Sequence, residues 1–128
     1  SAAVAAVYVS VWLMQDTQCN GAAAQITDAF TTNDPTTAMV NMANSGRFKI
    51  LKEFKLMFNP PAGVSAAYNE VVKPMRYYKK CNVPLEFSST TGAITELKSN
   101  NLFLFAASKG GDDLVTITGM CRLRFADF

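Results

Sequence analysis

The chain contains no histidine. That absence removes a Ser-His-Asp or Cys-His nucleophile system and every metal site that needs an imidazole ligand, and with them much of hydrolase chemistry. Cysteine is scarce too. Cys19, Cys81 and Cys121 are odd in number and far apart, with no Cys-x-x-Cys spacing, a pattern of reduced intracellular protein rather than of a disulfide scaffold. As small apolar side chains they are expected in the core. No apolar stretch approaches the roughly 20 residues of a membrane-spanning helix, so a soluble chain without membrane insertion is expected. The start, Ser1-Ala2-Ala3-Val4-Ala5-Ala6, has no basic segment before it and runs into a strand pattern, which argues against a signal peptide. The glycines form neither Gly-x-x-x-x-Gly-Lys nor Gly-x-Gly-x-x-Gly, so there is no phosphate loop. Asp16, Asp28 and Asp34 are close in sequence, yet nothing pairs them as acid and base. Asp112-Asp113 after Gly110-Gly111 reads as a polar hairpin tip rather than a cation site. No catalytic residue, metal or cofactor is expected.

What is abundant is apolar and aromatic. Hydrophobic residues make up 49% of the 128, with nine Phe and four Tyr, enough for one domain over 1–128 with a real core and a bias towards strands. Period-two alternation recurs along the chain, and helical periodicity hardly occurs. Val7, Val9, Val11 and Leu13 alternate with Tyr8, Ser10, Trp12 and Met14 in a first strand, which Asn20-Gly21 follows as a turn. Trp12 is expected in the core. Ala22 to Phe30 has room for one short helix, and Thr31 to Gly46 reads as a long surface connection. A second strand places Phe48, Ile50, Phe54, Leu56 and Phe58 on one side and Arg47, Lys49, Glu53 and Lys55 mostly on the other. Asn59-Pro60-Pro61 ends it. A third strand is predicted over about Val71 to Cys81 and a fourth over Val83 to Phe87. After a loop from Ser88 come the apolar run Leu102 to Ala107 and a final strand. In that last strand Ile117, Cys121, Leu123 and Phe125 face one way while Thr116, Thr118, Arg122 and Arg124 face the other. This set predicts an all-β, antiparallel two-sheet sandwich with the C-terminus tied into a sheet.

The charge is only mildly basic, twelve Lys and Arg against ten acids, but it is uneven. Lys73, Arg76, Lys79 and Lys80 crowd around Tyr77 and Tyr78, with no acid between Glu70 and Glu86. Cations attract phosphates and aromatic faces stack on unpaired bases, so this interleaving suits single-stranded nucleic acid. The plainer alternative is a strand with tyrosine rings in the core and solvated cations outside.

Five short motifs in order carry a resemblance. They are Gln15-Asp16-x-Gln18-Cys19-Asn20-Gly21-Ala22, Asn44-Ser45-Gly46-Arg47-Phe48-x-Ile50-Leu51, Tyr78 to Phe87 (Tyr-Lys-Lys-Cys-Asn-Val-Pro-Leu-Glu-Phe), Asn100-Asn101-Leu102, and Arg122-Leu123-Arg124-Phe125-Ala126-Asp127. Together, from about Val7 to Asp127, the chain resembles the capsid proteins of small circular Rep-encoding single-stranded DNA viruses, the circovirus-like group. The resemblance implies a jelly-roll coat protein that self-assembles into a T=1 icosahedral shell around circular single-stranded DNA, found in the virion and, during assembly, in the host nucleus. It implies strands D (about Val7 to Gln15), E (Arg47 to Phe58), F (Val71 to Cys81), G (Val83 to Phe87), H (Leu102 to Ser108) and I (Leu114 to Ala126), in sheets ordered B-I-D-G and C-H-E-F. Loops Asn59 to Asn69 and Ser88 to Asn100 would lie outside the shell and meet the host. The family's arginine-rich arm and strands B and C have no counterpart here, so the expectation is a capsid protein lacking its N-terminal part.

The residues expected to meet DNA are then Lys73, Arg76, Tyr78, Lys79, Lys80, Arg122 and Arg124, with Arg47 and Lys49 as further candidates; the other expected partners are copies of the same chain. A different class stays open: a monomeric or small-oligomer β-sandwich binding module, carbohydrate-binding or cytokine-like, presenting Trp12 or Tyr68 in a groove.

Overall fold

The computed structural model describes residues 7–58, 73–109 and 117–125. Strands are the main regular structure of the described residues: β1 (Val7–Asp16), β2 (Phe48–Phe58), β3 (Glu86–Phe87), β4 (Leu97–Ser99) and β5 (Asn101–Lys109), with one α-helical turn, α1 (Ile26–Ala29), and 3-10 turns at Met42–Asn44 and Ile94–Glu96. All pairings are antiparallel. One sheet has the order β2-β1-β5 and a second is the two-stranded β3-β4 ribbon.

β1 is the central strand, which explains its composition. A strand flanked on both edges, with both faces covered, is apolar in both phases of its alternation. Val7, Val9 and Val11 are buried on one face, while Trp12 and Met14 are buried on the other. Its register with β5 sets Trp12 opposite Phe105 and Met14 opposite Phe103, and directly opposed residues share a face. Trp12, Met14, Phe48, Phe103 and Phe105 therefore build one core cluster, which Ala24, Ile26, Ala29, Phe30 and Ala38 of the β1–β2 connection cover. The Trp12 and Phe30 rings sit 4.4 Å apart, and the Trp12 indole N–H donates to Glu53 Oε2 at 2.9 Å.

The single β2 face predicted from alternation does not form. The β1–β2 register shifts between Leu13, opposite Lys52, and Met14, opposite Ile50, so Leu51 is an extra residue in β2. A bulge of one residue reverses the alternation beyond it. Phe48 thus joins the Trp12 cluster, while Phe54 and Leu56 cross to pack with Val7, Val9 and Val11. Ile50 stays exposed.

Two turns follow directly from residue type. Gly21 has φ +75°, in the left-handed region that glycine adopts without a Cβ clash, and its Cβ position would lie 3.5 Å from the Thr95 carbonyl oxygen. Asn100 is the one non-glycine residue with positive φ among those described, at 63°. It is the corner at which the chain leaves the β3-β4 ribbon for the main sheet. Asparagine tolerates that region through local hydrogen bonds, and here its side chain donates to the Pro84 carbonyl and accepts from Gln15 Nε2.

The strand bounds expected for D, E and H match β1, β2 and β5 to within a residue or two, but three other expectations are corrected. First, β1, β2 and β5 lie in one sheet, whereas the B-I-D-G and C-H-E-F orders would separate D from E and H. Second, the described part of strand F, residues 73–81, and residues 83–85 of strand G adopt no regular secondary structure; only Glu86–Phe87 is strand. Third, residues 117–125 form no strand and are exposed throughout, so Ile117, Cys121, Leu123 and Phe125 are not buried in a sheet. The cysteines also depart from the expected core placement: Cys19 is half-buried, and Cys81 and Cys121 are exposed. Val71, Val72, 114–116 and Ala126, like the loops 59–69 and 110–113, lie outside the described residues.

Candidate nucleic-acid interface

The basic segment predicted from sequence is surface. Lys73, Arg76, Tyr78, Lys79 and Lys80 are all exposed, Tyr78 at 86%. The alternative in which both tyrosine rings fill a core is not what forms, because Tyr77 itself is 38% exposed. From Lys73 to Leu85 the chain has no acidic side chain.

Side chains fix this segment along the outer edge of β2. The Tyr77 hydroxyl donates to the Leu51 carbonyl at 3.3 Å, and Lys73 Nζ donates to the Met57 carbonyl at 2.5 Å. As the segment runs from 73 to 77 its contacts on β2 run from 57 back to 51, so the two are antiparallel. The residue chosen by Tyr77 has a physical reason. Leu51 is the extra residue of the bulge, and β2 is an edge strand, whose outward carbonyls need donors from outside the sheet.

The Tyr77 ring packs edge-on against Phe54, with centroids 6.3 Å apart, and Lys52 Nζ stands 5.4 Å from the Phe54 centroid and 5.7 Å from that of Tyr77. A cation over an aromatic face is worth roughly 0.5–1 kcal/mol at such an exposed site. Tyr77 is thus engaged by Leu51, Phe54 and Lys52, whereas Tyr78 projects into solvent. Lys52 was not among the residues singled out from sequence. In a regular strand it shares a side with the apolar Ile50 and Phe54, and only the bulge changes its neighbours.

Arg47 is removed from the cationic set. Its Nε donates to Asp16 Oδ1 and its second guanidinium nitrogen to Asp16 Oδ2, each at 2.8 Å, and Asp16 is completely buried. The Asp16 carboxylate accordingly raises the affinity of the guanidinium for its proton. The same strand ends are joined by Thr17, whose backbone N–H and hydroxyl both donate to the Arg47 carbonyl, at 2.8 and 2.7 Å. Arg47 is a structural clamp between β1 and β2.

Arg122 and Arg124 are exposed on the separate segment 117–125, which has no regular secondary structure. Five of the seven predicted residues therefore lie on one exposed segment, tethered to β2 through Lys73 and Tyr77, and these two lie on another stretch of chain. Trp12, at 2% exposure, is no ligand platform, and Tyr68 lies outside the described residues. Elsewhere a shallow cavity of about 380 Å³ is lined by Ile26, Asn33, Asp34 and Ala106 to Lys109. Its charges are paired with each other: Lys109 Nζ bonds Asp34 at 2.5 Å, and that bond, with those from Thr36, holds the Asp34 carboxyl down at about 2. Among the described residues no group of three or more His, Cys, Asp or Glu is placed to hold a metal ion, and no helix is long and apolar enough to cross a membrane. No protein-family model matches this chain, and no curated protein matches it significantly.

Proposed function

We propose that this chain is the structural subunit of a viral capsid, a coat protein that self-assembles into a small T=1 shell around circular single-stranded DNA, and that it acts in the virion after assembly in the host nucleus. The observation that carries this reading is apolar surface that the described chain leaves open. Leu123 is 68% exposed and Phe125 88% on a segment whose alternation is that of a half-buried strand, and Leu104 is exposed on the edge strand β5. A monomer rarely presents so many large apolar groups together with an open strand edge, and such features mark surfaces that other chains cover. Repeated on identical copies, they close a symmetric assembly.

The jelly-roll sandwich belongs to the same proposal. In its favour, residues 73–77 run antiparallel beside β2, the neighbour that strand F has in that fold. Against it stands the β2-β1-β5 order; a jelly roll requires β1 to exchange these neighbours for strands G and I. The buried Trp12 weighs against a carbohydrate-binding or cytokine-like module built on that ring.

Negative-stain electron microscopy of the purified protein, with absorbance at 260 and 280 nm on the same fraction across a salt series, tests the proposal. Uniform small spheres with a salt-sensitive nucleic-acid signal are expected. Lys79→Ala with Lys80→Ala should lower the packaged nucleic acid and leave the spheres intact. A monodisperse small species that stays small after strands equivalent to B and C are added upstream would overturn it.

A further inference from the structure

We propose that the single-stranded nucleic-acid track has a second cationic row on β2, made of Lys49 and Lys52, and that its stacking platform is Tyr78 alone while Tyr77 holds the two rows together. The inference rests on the nucleic-acid reading above and adds the path and the polymer class.

Lys49 and Lys52 are three apart, so in an unbroken strand they would point to opposite faces. The bulge at Leu51 cancels that. Lys49 is opposite Gln15 and Lys52 opposite Leu13, two positions of the same phase on β1, so both lysines share one sheet face. That face is the one on which Tyr77 packs against Phe54 and Lys52. The bulged residue also supplies the carbonyl that holds Tyr77. One inserted residue thus aligns the two lysines and, through Tyr77, tethers to β2 the segment that carries Arg76, Tyr78, Lys79 and Lys80. The acid of this stretch of β2, Glu53, is opposite Trp12 and so lies on the other face, where it accepts from the indole and pairs with Lys55.

Two groups of cations and an exposed ring on the tethered segment fit a single strand: phosphates meet the lysines, and an unpaired base meets the face of Tyr78. A duplex offers phosphates to the same lysines but no free base face, so the ring discriminates between the two polymers. Tyr77 has its hydroxyl and ring engaged and serves as a positioning residue.

The test is fluorescence anisotropy over a salt series, with the full chain and a labelled oligodeoxythymidine, free and annealed to its complement. Each phosphate-binding cation contributes about 0.7 to the slope of log affinity against log salt on a single strand. Lys49→Gln with Lys52→Gln should therefore flatten the slope by about 1.4, and the paired Lys→Arg variant should keep it. Tyr78→Ala should weaken single-strand binding about tenfold and leave duplex binding unchanged, with Tyr78→Phe near wild type. An unchanged slope in the glutamine variant, alongside a flattened one in Lys79→Ala with Lys80→Ala, would overturn the second row and leave the basic segment standing. If neither pair changes the slope, the nucleic-acid reading fails as a whole. Equal loss on both polymers, or none, in Tyr78→Ala would overturn the stacking role. Thermal melts of each variant identify any loss that comes from unfolding, and the arginine and phenylalanine variants keep the outcome decisive in that case.

Discussion

Replacing Arg47 by Met separates structural from functional cations. Asp16 is fully buried, and three donors reach it: two guanidinium nitrogens at 2.8 Å and the Gln18 backbone N–H at 3.1 Å. Arg47→Met removes two of these and leaves a carboxylate in a dry site with one partner. Breaking a buried pair from one side costs about 3–5 kcal/mol, because the remaining charge keeps its desolvation penalty. With a urea slope near 2 kcal/mol/M, that lowers the unfolding midpoint by roughly 2 M. Removing both charges, as Asp16→Leu with Arg47→Met, should recover all but about 1 kcal/mol, the part left by the Gln18 N–H. The assay is urea unfolding followed by circular dichroism, with the single and double variants in one cycle. In whatever range Arg47→Met stays folded, its salt slope for oligonucleotide binding should equal that of the wild type. A loss below about 1 kcal/mol for the single variant, or a double variant no more stable than it, would refute the clamp; a flattened salt slope would return Arg47 to the nucleic-acid surface.

Asp34 titrates at about 2, lowered from 3.8 chiefly by its bond to Lys109. A carboxyl depressed on folding contributes stability that is present above the unfolded value and is lost as pH falls from there through about 2. Lys109→Met should move the Asp34 titration back towards 3.8 in a carbon NMR experiment, and an unmoved midpoint would assign the shift to Thr36 instead. Trp12→Phe should cost about 2 kcal/mol, the worth of a hydrogen bond to a charged carboxylate, and Glu53→Gln in the same background should then add little. Deleting Leu51 should leave the β1–β2 pairs intact, since every partnered residue keeps its partner. Without the Leu51 carbonyl, however, Tyr77 loses its acceptor, and trypsin should cut faster after Arg76, Lys79 and Lys80; unchanged cleavage would show that the Leu51 bond does not hold the segment.

The main sheet was legible where alternation and composition agreed. β1 read as a strand from its period-two alternation, and the structure makes it the central strand, buried in both phases. β5 read as a buried strand because Leu102 to Ala107 is apolar without interruption, yet it is an edge strand with Leu104 and Ala106 exposed. Composition reports what a strand can bury, not what the chain supplies to bury it. The segments 73–85 and 117–125 mark the same limit. Their composition is a real preference for a half-covered face, but a strand exists only when a neighbouring strand pairs with it in a ladder, and none among the described residues pairs with these two segments. Arg47 was ambiguous for a different reason: an exposed cation and a clamped one are the same letter until the residue opposite is known, and Asp16 lies 31 positions away.

The bulge limits what sequence could say about the site. Period-two reading assumes that each residue of a strand has one partner, and a single unpaired residue inverts every assignment beyond it. Phe48 and Phe54 then belong to different cores, and Lys49 and Lys52 to the same face. Nothing at Leu51 announces this, since leucine is an ordinary strand residue with no need of positive φ. The pattern does hold a trace of it. In one phase Lys52 interrupts Ile50 and Phe54, and in the other Leu51 interrupts Lys49 and Glu53. A strand in which both phases break their own character at adjacent positions is better explained by one inserted residue than by two independent exceptions. By that criterion the alignment of Lys49 with Lys52, on which the proposed second row rests, was present in the sequence as a paired irregularity rather than as a motif.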